Sequence, residues 1–331
     1  MARPSCLPDN FTLSLVAVVT LASVLPASGS VARYFEALTT LAIGVLFFLH
    51  GAKLSRDALL GGATHWRLHL LVFAGTFILY PLLGFALRPV LGALVTPALY
   101  SGVLFLCVLP STVQSSIALV SIARGNVSAA VCSASASTLI GVFFTPVLVG
   151  LFVLPGSHAA ASLDAIGRIL LQLMLPFFAG HLLRPWIGEA IRRHGSKLQY
   201  VDQGSILLVV YTAFSAAVIQ GLWQQVSATT LAGLLVVCAV LLGLALTAMT
   251  WAARRFGFAK ADEIAIVFCG SKKSLASGIP MAKILFASGT VGTIVLPLML
   301  FHQMQLMLGA LLARRYANRP AIPDYAGALK I

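Results

Sequence analysis

Acidic residues are scarce in this chain: nine Asp and Glu stand against 22 Lys and Arg in 331 residues, and only 9% of positions are charged. Soluble domains carry about 25% charged residues. Here 59% of positions are hydrophobic and the mean hydropathy is +0.97, which excludes a water-soluble fold and leaves an all-α polytopic membrane protein. The net charge of +13 does not point to nucleic acid, because the basic residues lie between apolar runs, where topology and anionic lipid account for them. Cysteine is sparse too. Cys6, Cys107, Cys132, Cys238 and Cys269 contain no CxxC pair, so a zinc or disulfide framework has no support. The sequence lacks an HExxH, a close His pair on an apolar face, a Walker loop and a dinucleotide fingerprint, which argues against direct ATP coupling. No cofactor is expected beyond Na+ or H+ as a coupling ion.

What is present is a series of long apolar runs. A membrane span needs about 20 apolar residues, and ten runs qualify, at roughly 11–26, 34–54, 68–87, 97–123, 128–154, 166–186, 203–222, 229–252, 263–286 and 289–313. The first has a signal-peptide alternative, since Pro26-Ala27-Ser28-Gly29-Ser30 resembles a cleavage region. On ten spans, 16 of the 22 Lys and Arg fall on the side of the termini and four on the other, with Lys272 and Lys273 inside. That split places both termini in the cytoplasm of an inner or plasma membrane protein. Arg184 to Asp202 reads as a cytoplasmic hinge between halves, and the tail after Arg314 as disordered.

A shift of about 165 residues lays Tyr34-Phe35-Glu36 on Tyr200-Val201-Asp202, and Ala123-Arg124-Gly125-Asn126-Val127 on Ala287-Ser288-Gly289-Thr290-Val291. Five spans per copy give the copies opposite orientations, a transporter architecture with interrupted helices near the midplane. The first copy covers spans one to five (about 11–154); residues 1–186 hold it and the start of the second (span six), and 187–331 hold spans seven to ten and the tail. A monomer suffices for such a fold, and no residue pattern excludes a dimer.

Two spans carry interruptions at corresponding places. In span four, Pro110 removes a backbone donor, and a second half-helix starts among Ser111, Thr112, Ser115 and Ser116, whose hydroxyls can cap it, with Gln114 among them to hydrogen-bond a solute. In span nine, Gly270 supplies the break and Ser271 or Ser274 the cap. Half-helix N-termini near the bilayer centre favour an anion or polar solute. An ordinary proline kink is the bland alternative for span four. Ser133, Ser135, Ser137 and Thr138 in span five read either as cavity lining or as small residues at helix contacts. His302, Gln303 and Gln305 in span ten are polar enough to line a cavity.

Lys272 and Lys273 are the costliest residues to place. An ammonium inside a span costs roughly 2.5 to 3.5 kcal/mol on the insertion scale, and no acid lies at their depth, Asp262 and Glu263 sitting at the membrane boundary. Four readings stand: neutral amines, cations paired with an anionic solute, fixed cations donating to carbonyls at the break, or side chains reaching an interface.

Along nearly its whole length the chain resembles the bile acid:sodium symporter family, with Pro110 to Pro146 similar to that family's fourth and fifth helices and Glu263 to Gly278 to its ninth. The resemblance implies ten helices in two inverted repeats, a panel (helices 1, 2, 6, 7) and a core (3–5, 8–10) that rock against each other, and discontinuous fourth and ninth helices crossing at substrate and sodium sites. It also implies departures. The family's glutamate before the glycine is Phe268, its glutamine and asparagine after it are Lys272 and Lys273, its Ser-Asn pair is Ser115-Ser116, and two hydroxyl positions of the fifth helix are Ala130 and Ala134. A hard cation wants oxygen donors, so the pattern matches an orphan branch with poor sodium chemistry. The leading expectation is a secondary transporter of a small organic solute, anionic or amphipathic. The alternatives are a proton-coupled or uniport carrier, a non-transporting regulator with the same fold, and, least, a Schiff-base enzyme, for which no acid–base pair is present.

Overall fold

The computed structural model describes residues 10–53, 65–153, 163–287 and 289–319, and every regular element among them is helical. Twelve helices organise the chain: α1 (Asn10–Val24), α2 (Gly29–Lys53), α3 (Trp66–Ala86), α4 (Pro97–Val108), α5 (Val113–Ile122), α6 (Val127–Phe152), α7 (Leu163–Arg193), α8 (Gly195–Ile219), α9 (Ala228–Arg255), α10 (Lys260–Gly270), α11 (Leu275–Leu285) and α12 (Val291–Ala317). Among the described residues six helices are long and apolar enough to cross a membrane, seven if the pair α4–α5, bent by 63°, counts as one span. The helix α1 is apolar but only 15 residues long. The pair α10–α11 has 11 residues on each side of its break.

The interruptions fall where Pro110 and Gly270 mark them. Extended backbone at Leu109 and Thr112 separates α4 from α5, and Ser271–Ser274 separates α10 from α11. A third irregularity lies within α3, which relaxes into a π-turn at Gly75–Leu79, just ahead of Pro81.

Two expectations are corrected. The hinge from Arg184 to Asp202 is helical, with α7 running to Arg193 and α8 starting at Gly195. Glu189 pairs with both Arg192 and Arg193 one turn on, the spacing that supports an exposed helix end. The segment after Arg314 also stays helical to Ala317. Cys6 and the tail from residue 320 lie outside the described residues.

The strongest helix pairings are α2 with α7, α4 with α12, α1 with α8 and α2 with α8, followed by α5 with α6, α9 with α10 and α3 with α10; α8 also packs on α11 and α12. Where α9, α10 and α12 meet, the Glu263 carboxylate, 3% exposed, holds three elements together. It accepts from Lys260 Nζ at 2.7 Å, Arg254 Nε at 3.3 Å and the Tyr316 hydroxyl at 3.2 Å. Removing a buried carboxylate orphans its partners, whereas removing one exposed cation does little. Glu263→Ala is therefore expected to lower stability by about 1–3 kcal/mol, and Arg254→Ala, whose side chain is 62% exposed, by less than about 1 kcal/mol. Thermal unfolding of the detergent-solubilised variants checks the ordering.

Candidate functional site

Breaking a helix inside an apolar bundle frees carbonyls and amides that water cannot reach, and each must find a partner. Here the two breaks cross, and each supplies the other. The last carbonyls of α10 accept hydroxyls from the start of α5 and the residues just before it: Ser111 Oγ donates to Cys269 O at 2.5 Å and Ser116 Oγ to Phe268 O at 3.1 Å. In return, Thr112 Oγ1 donates to Lys273 O at 2.8 Å, and Ser274 N to Pro110 O at 2.9 Å. Neighbouring helices complete the set. Ser137 Oγ takes the Ser111 amide, Thr145 Oγ1 donates to Val108 O, Tyr80 hydroxyl donates to Ser271 O, and Gln305 bonds both the amide and the carbonyl of Lys273.

These bonds correct the capping roles. Thr112 is the N-cap of α5 but makes no side-chain cap bond, because its hydroxyl is committed to Lys273 O. Ser271 turns back to Val267 O, so Ser274 alone caps α11, accepting from Ser277 N at 3.2 Å.

The two lysines, adjacent in sequence, differ in surroundings. Lys273 is fully buried, and its Nζ donates to the carbonyls of Thr76, Cys107 and Leu109, each at 2.8 Å. Thr76 lies in the π-turn, which shifts the hydrogen-bond register; Cys107 and Leu109 lie at the terminated end of α4. The Tyr80 ring closes the remaining side, its centroid 4.3 Å from Nζ. Lys272 is 2% exposed; its Nζ reaches Ser115 Oγ at 3.4 Å and lies 5.9 Å from the Phe268 ring centroid. Gly309 lies alongside: a Cβ there would stand in ordinary contact with Nζ at 3.5 Å but only 2.7 Å from Leu119 Cδ1, so the glycine accommodates Leu119.

Beside the crossover lies a cavity of about 420 Å³. Its floor is the first turn of α5 and the first turn of α11: Thr112, Gln114 and Ser115 on one side, Ser274 and Ser277 on the other. Ser135 and Thr138 of α6 and His302 of α12 also line it. Among the residues marked from sequence, Gly270, Ser271, Ser111, Ser116, Lys272, Lys273 and Gln303 do not. Gln303 instead accepts from Thr12 Oγ1 at 2.7 Å, and His302 Nδ1 pairs with Gln305 Nε2 at 2.9 Å. The opposite wall holds residues that sequence reasoning missed: Lys53 paired with Asp202, and His50, Gln199 and Gln203, among Phe11, Phe177 and Ile206. In the sequence Lys53 and Asp202 look like topology charges; the one available signal is an acid and a base at facing ends of spans two and seven.

Three of the places where the resemblance implies sodium ligands, Phe268, Ala130 and Ala134, are apolar. Phe268 packs edge-on to Tyr316 at 6.1 Å, and it, Ala130 and Ala134 belong to one buried hydrophobic cluster.

A helical membrane protein with paired broken helices beside a polar cavity has the architecture of a carrier. The comparisons make that specific: residues 9–318 match the model of the SBF-like CPA transporter family, and the chain belongs to it. It is 65% identical to Uncharacterized protein PA2026 of Pseudomonas aeruginosa, over 96% of both chains. It is 57% identical to Putative symporter YfeH of Escherichia coli, over 94% of this chain and 93% of that one. Sodium/bile acid cotransporter 7 of Xenopus tropicalis is 27% identical over 91% and 90%. The family is one of transporters rather than enzymes, and two of these relatives carry a symporter or cotransporter name.

Because Lys273 serves three buried carbonyls and Lys272 one hydroxyl, their removal has unequal consequences. Lys273→Met is expected to cost about 3 kcal/mol or more, from three carbonyls left without partners, and Lys272→Met less than about 1.5 kcal/mol. Melting curves of the two purified variants test this directly.

Proposed function

We propose that the protein is a secondary carrier for a small organic anion, or an amphipathic solute with an anionic end, bound in the cavity beside the crossover. The observation that carries the reading is the orientation of the half-helices. The N-terminal turns of α5 and α11 both face the cavity, and the N-terminal end of a helix carries partial positive charge. The terminated ends of α4 and α10, which carry the opposite sign, point away and have the lysines beside them. The far wall, with Phe11, Phe177 and Ile206, suits an apolar body, and about 420 Å³ lies in the usual range for a small-molecule site.

On this reading ten crossings form two inverted copies, with both termini cytoplasmic. The reciprocal pairing of α1 with α8 and of α7 with α2 supports it, as does the crossing of two equivalent breaks. The panel is α1, α2, α7 and α8; the core is α3–α6 and α9–α12. The cavity reaches Lys53 and Asp202, the end that the basic-residue split assigns to the cytoplasm. At the far end, Glu36 of α2 pairs with Lys283 of α11 at 2.9 Å, about 25 Å along α2 from Lys53. Panel and core are thus tied on one side of the cavity and parted on the other, an arrangement for alternating access in its inward-facing state. The sodium in one relative's name has no oxygen-rich counterpart at Phe268, Ala130 and Ala134, so we place no sodium there.

Two experiments test the reading. Thermal shift across a panel of carboxylates, sulfonates and amphipathic anions is expected to yield solutes that stabilise the protein. Ser135→Leu, which fills the cavity without touching the crossover's bonds, should abolish that shift while leaving the melting temperature without solute within a few degrees of wild type; a panel without a single stabilising anion overturns the assignment. Reconstituted uptake probes the closed end. Glu36→Lys is expected to slow exchange several-fold by setting two cations together, and the Glu36→Lys/Lys283→Glu swap to restore most of the rate.

A further inference from the structure

An ammonium group has three protons and no lone pair, and a neutral amine has two protons and one lone pair. Lys273 Nζ faces three carbonyl oxygens, all at 2.8 Å, so all three protons are used and the group is a cation. Its fourth side meets the face of Tyr80, the face of an aromatic ring being negative. Among the described residues its partners include no carboxylate. This is the environment that helix breaks and filters build around desolvated monovalent cations, with backbone carbonyls in place of water. It differs from an ordinary structural lysine, which keeps its head near solvent or pairs with an acid.

We infer that the carbonyl cage formed by Thr76, Cys107 and Leu109 is a monovalent-cation site whose occupant is covalently attached: Lys273 is the ion. The cage joins the π-turn of α3 to the end of α4, while the main chain of Lys273 is held by Thr112 and Gln305. One residue therefore fixes α3, α4, α5, α12 and the second break at once. A tethered cation cannot dissociate, so the crossover stays assembled whatever the sodium or potassium concentration. For transport, which rests on the carrier reading above, the consequence is that no inorganic cation has to load this site before the solute moves.

The test uses the full-length protein in detergent, in equal concentrations of sodium, potassium, choline or ethylammonium chloride. The wild type is expected to melt at the same temperature in all four. Lys273→Ala empties the cage, and its melting temperature should fall in choline and recover by at least half in sodium or ethylammonium, which are small enough to enter. Two results would overturn the inference: a sodium-specific rise in the wild type, or a Lys273→Ala protein that no small cation restores. The wild-type series stands whether or not the variant can be purified. Neither series needs a transported solute, so a failure to find one would count against the carrier reading and leave the cation site to be judged on its own data.

Discussion

The structure depends on one constraint: backbone groups released by breaking a helix in an apolar medium have to be bonded by something other than water. An unpaired buried amide or carbonyl costs about 1–3 kcal/mol, and each of the two breaks releases several. Neither break is tolerable alone. Ser111 and Ser116 bond the terminated end of α10, Thr112 and the amide of Ser274 bond the opposing break, and Lys273 bonds the terminated end of α4. The polar residues gathered in these two stretches are first of all the means by which the helices can stop there.

That settlement has an electrostatic result. Each interruption makes one negative helix end and one positive helix end. The negative ends sit near Lys272 and Lys273, inside the bundle; the positive ends open on the cavity. The lysines thus act on the cavity indirectly, by neutralising the charge of the wrong sign, while the cavity itself offers amides and hydroxyls. Lys272 reaches Ser115, one of the residues that line the cavity. Lys273 is turned to the far side of the crossover.

Much of this is legible in the sequence. Pro110 and Gly270 mark the breaks because a proline or a glycine deep in an apolar run weakens the helix at that point, and a buried Lys-Lys pair announces an unusual site by its cost alone. Individual partners are not legible. Thr112 leaves the cap that local rules assign it for a carbonyl 161 positions away, while Ser271 turns back onto Val267 O of its own helix and leaves the cap to Ser274. The π-turn at Gly75–Leu79 is flanked by Gly75 and Pro81, but a glycine and a proline do not by themselves tell a π-turn from a kink, and with the turn goes one carbonyl of the Lys273 cage, that of Thr76. Lys53 and Asp202 are hidden for another reason: a base and an acid at span ends look like topology signals until the helices are brought together. The stretch from Arg184 to Asp202 is helical despite its polar composition, because polarity marks contact with water and not the absence of a helix.

Where the polar bonds are dense and where they are sparse also bears on motion. The bonds at the crossover join α3, α4, α5, α6, α10, α11 and α12. A displacement within that set would break many buried bonds together, each without a water replacement. Across the boundary to α1, α2, α7 and α8, the side-chain bonds among the described residues include Thr12 to Gln303 and Glu36 to Lys283, with apolar packing over most of the rest. Apolar surfaces slide at low cost because the area uncovered at one edge is covered again at the other, and an ion pair half exposed to water can be re-solvated. The proposed division into a moving core and a panel follows from that contrast: the cohesion that closes the crossover makes the core move as one body, and the cavity lies along the boundary where the two sets part.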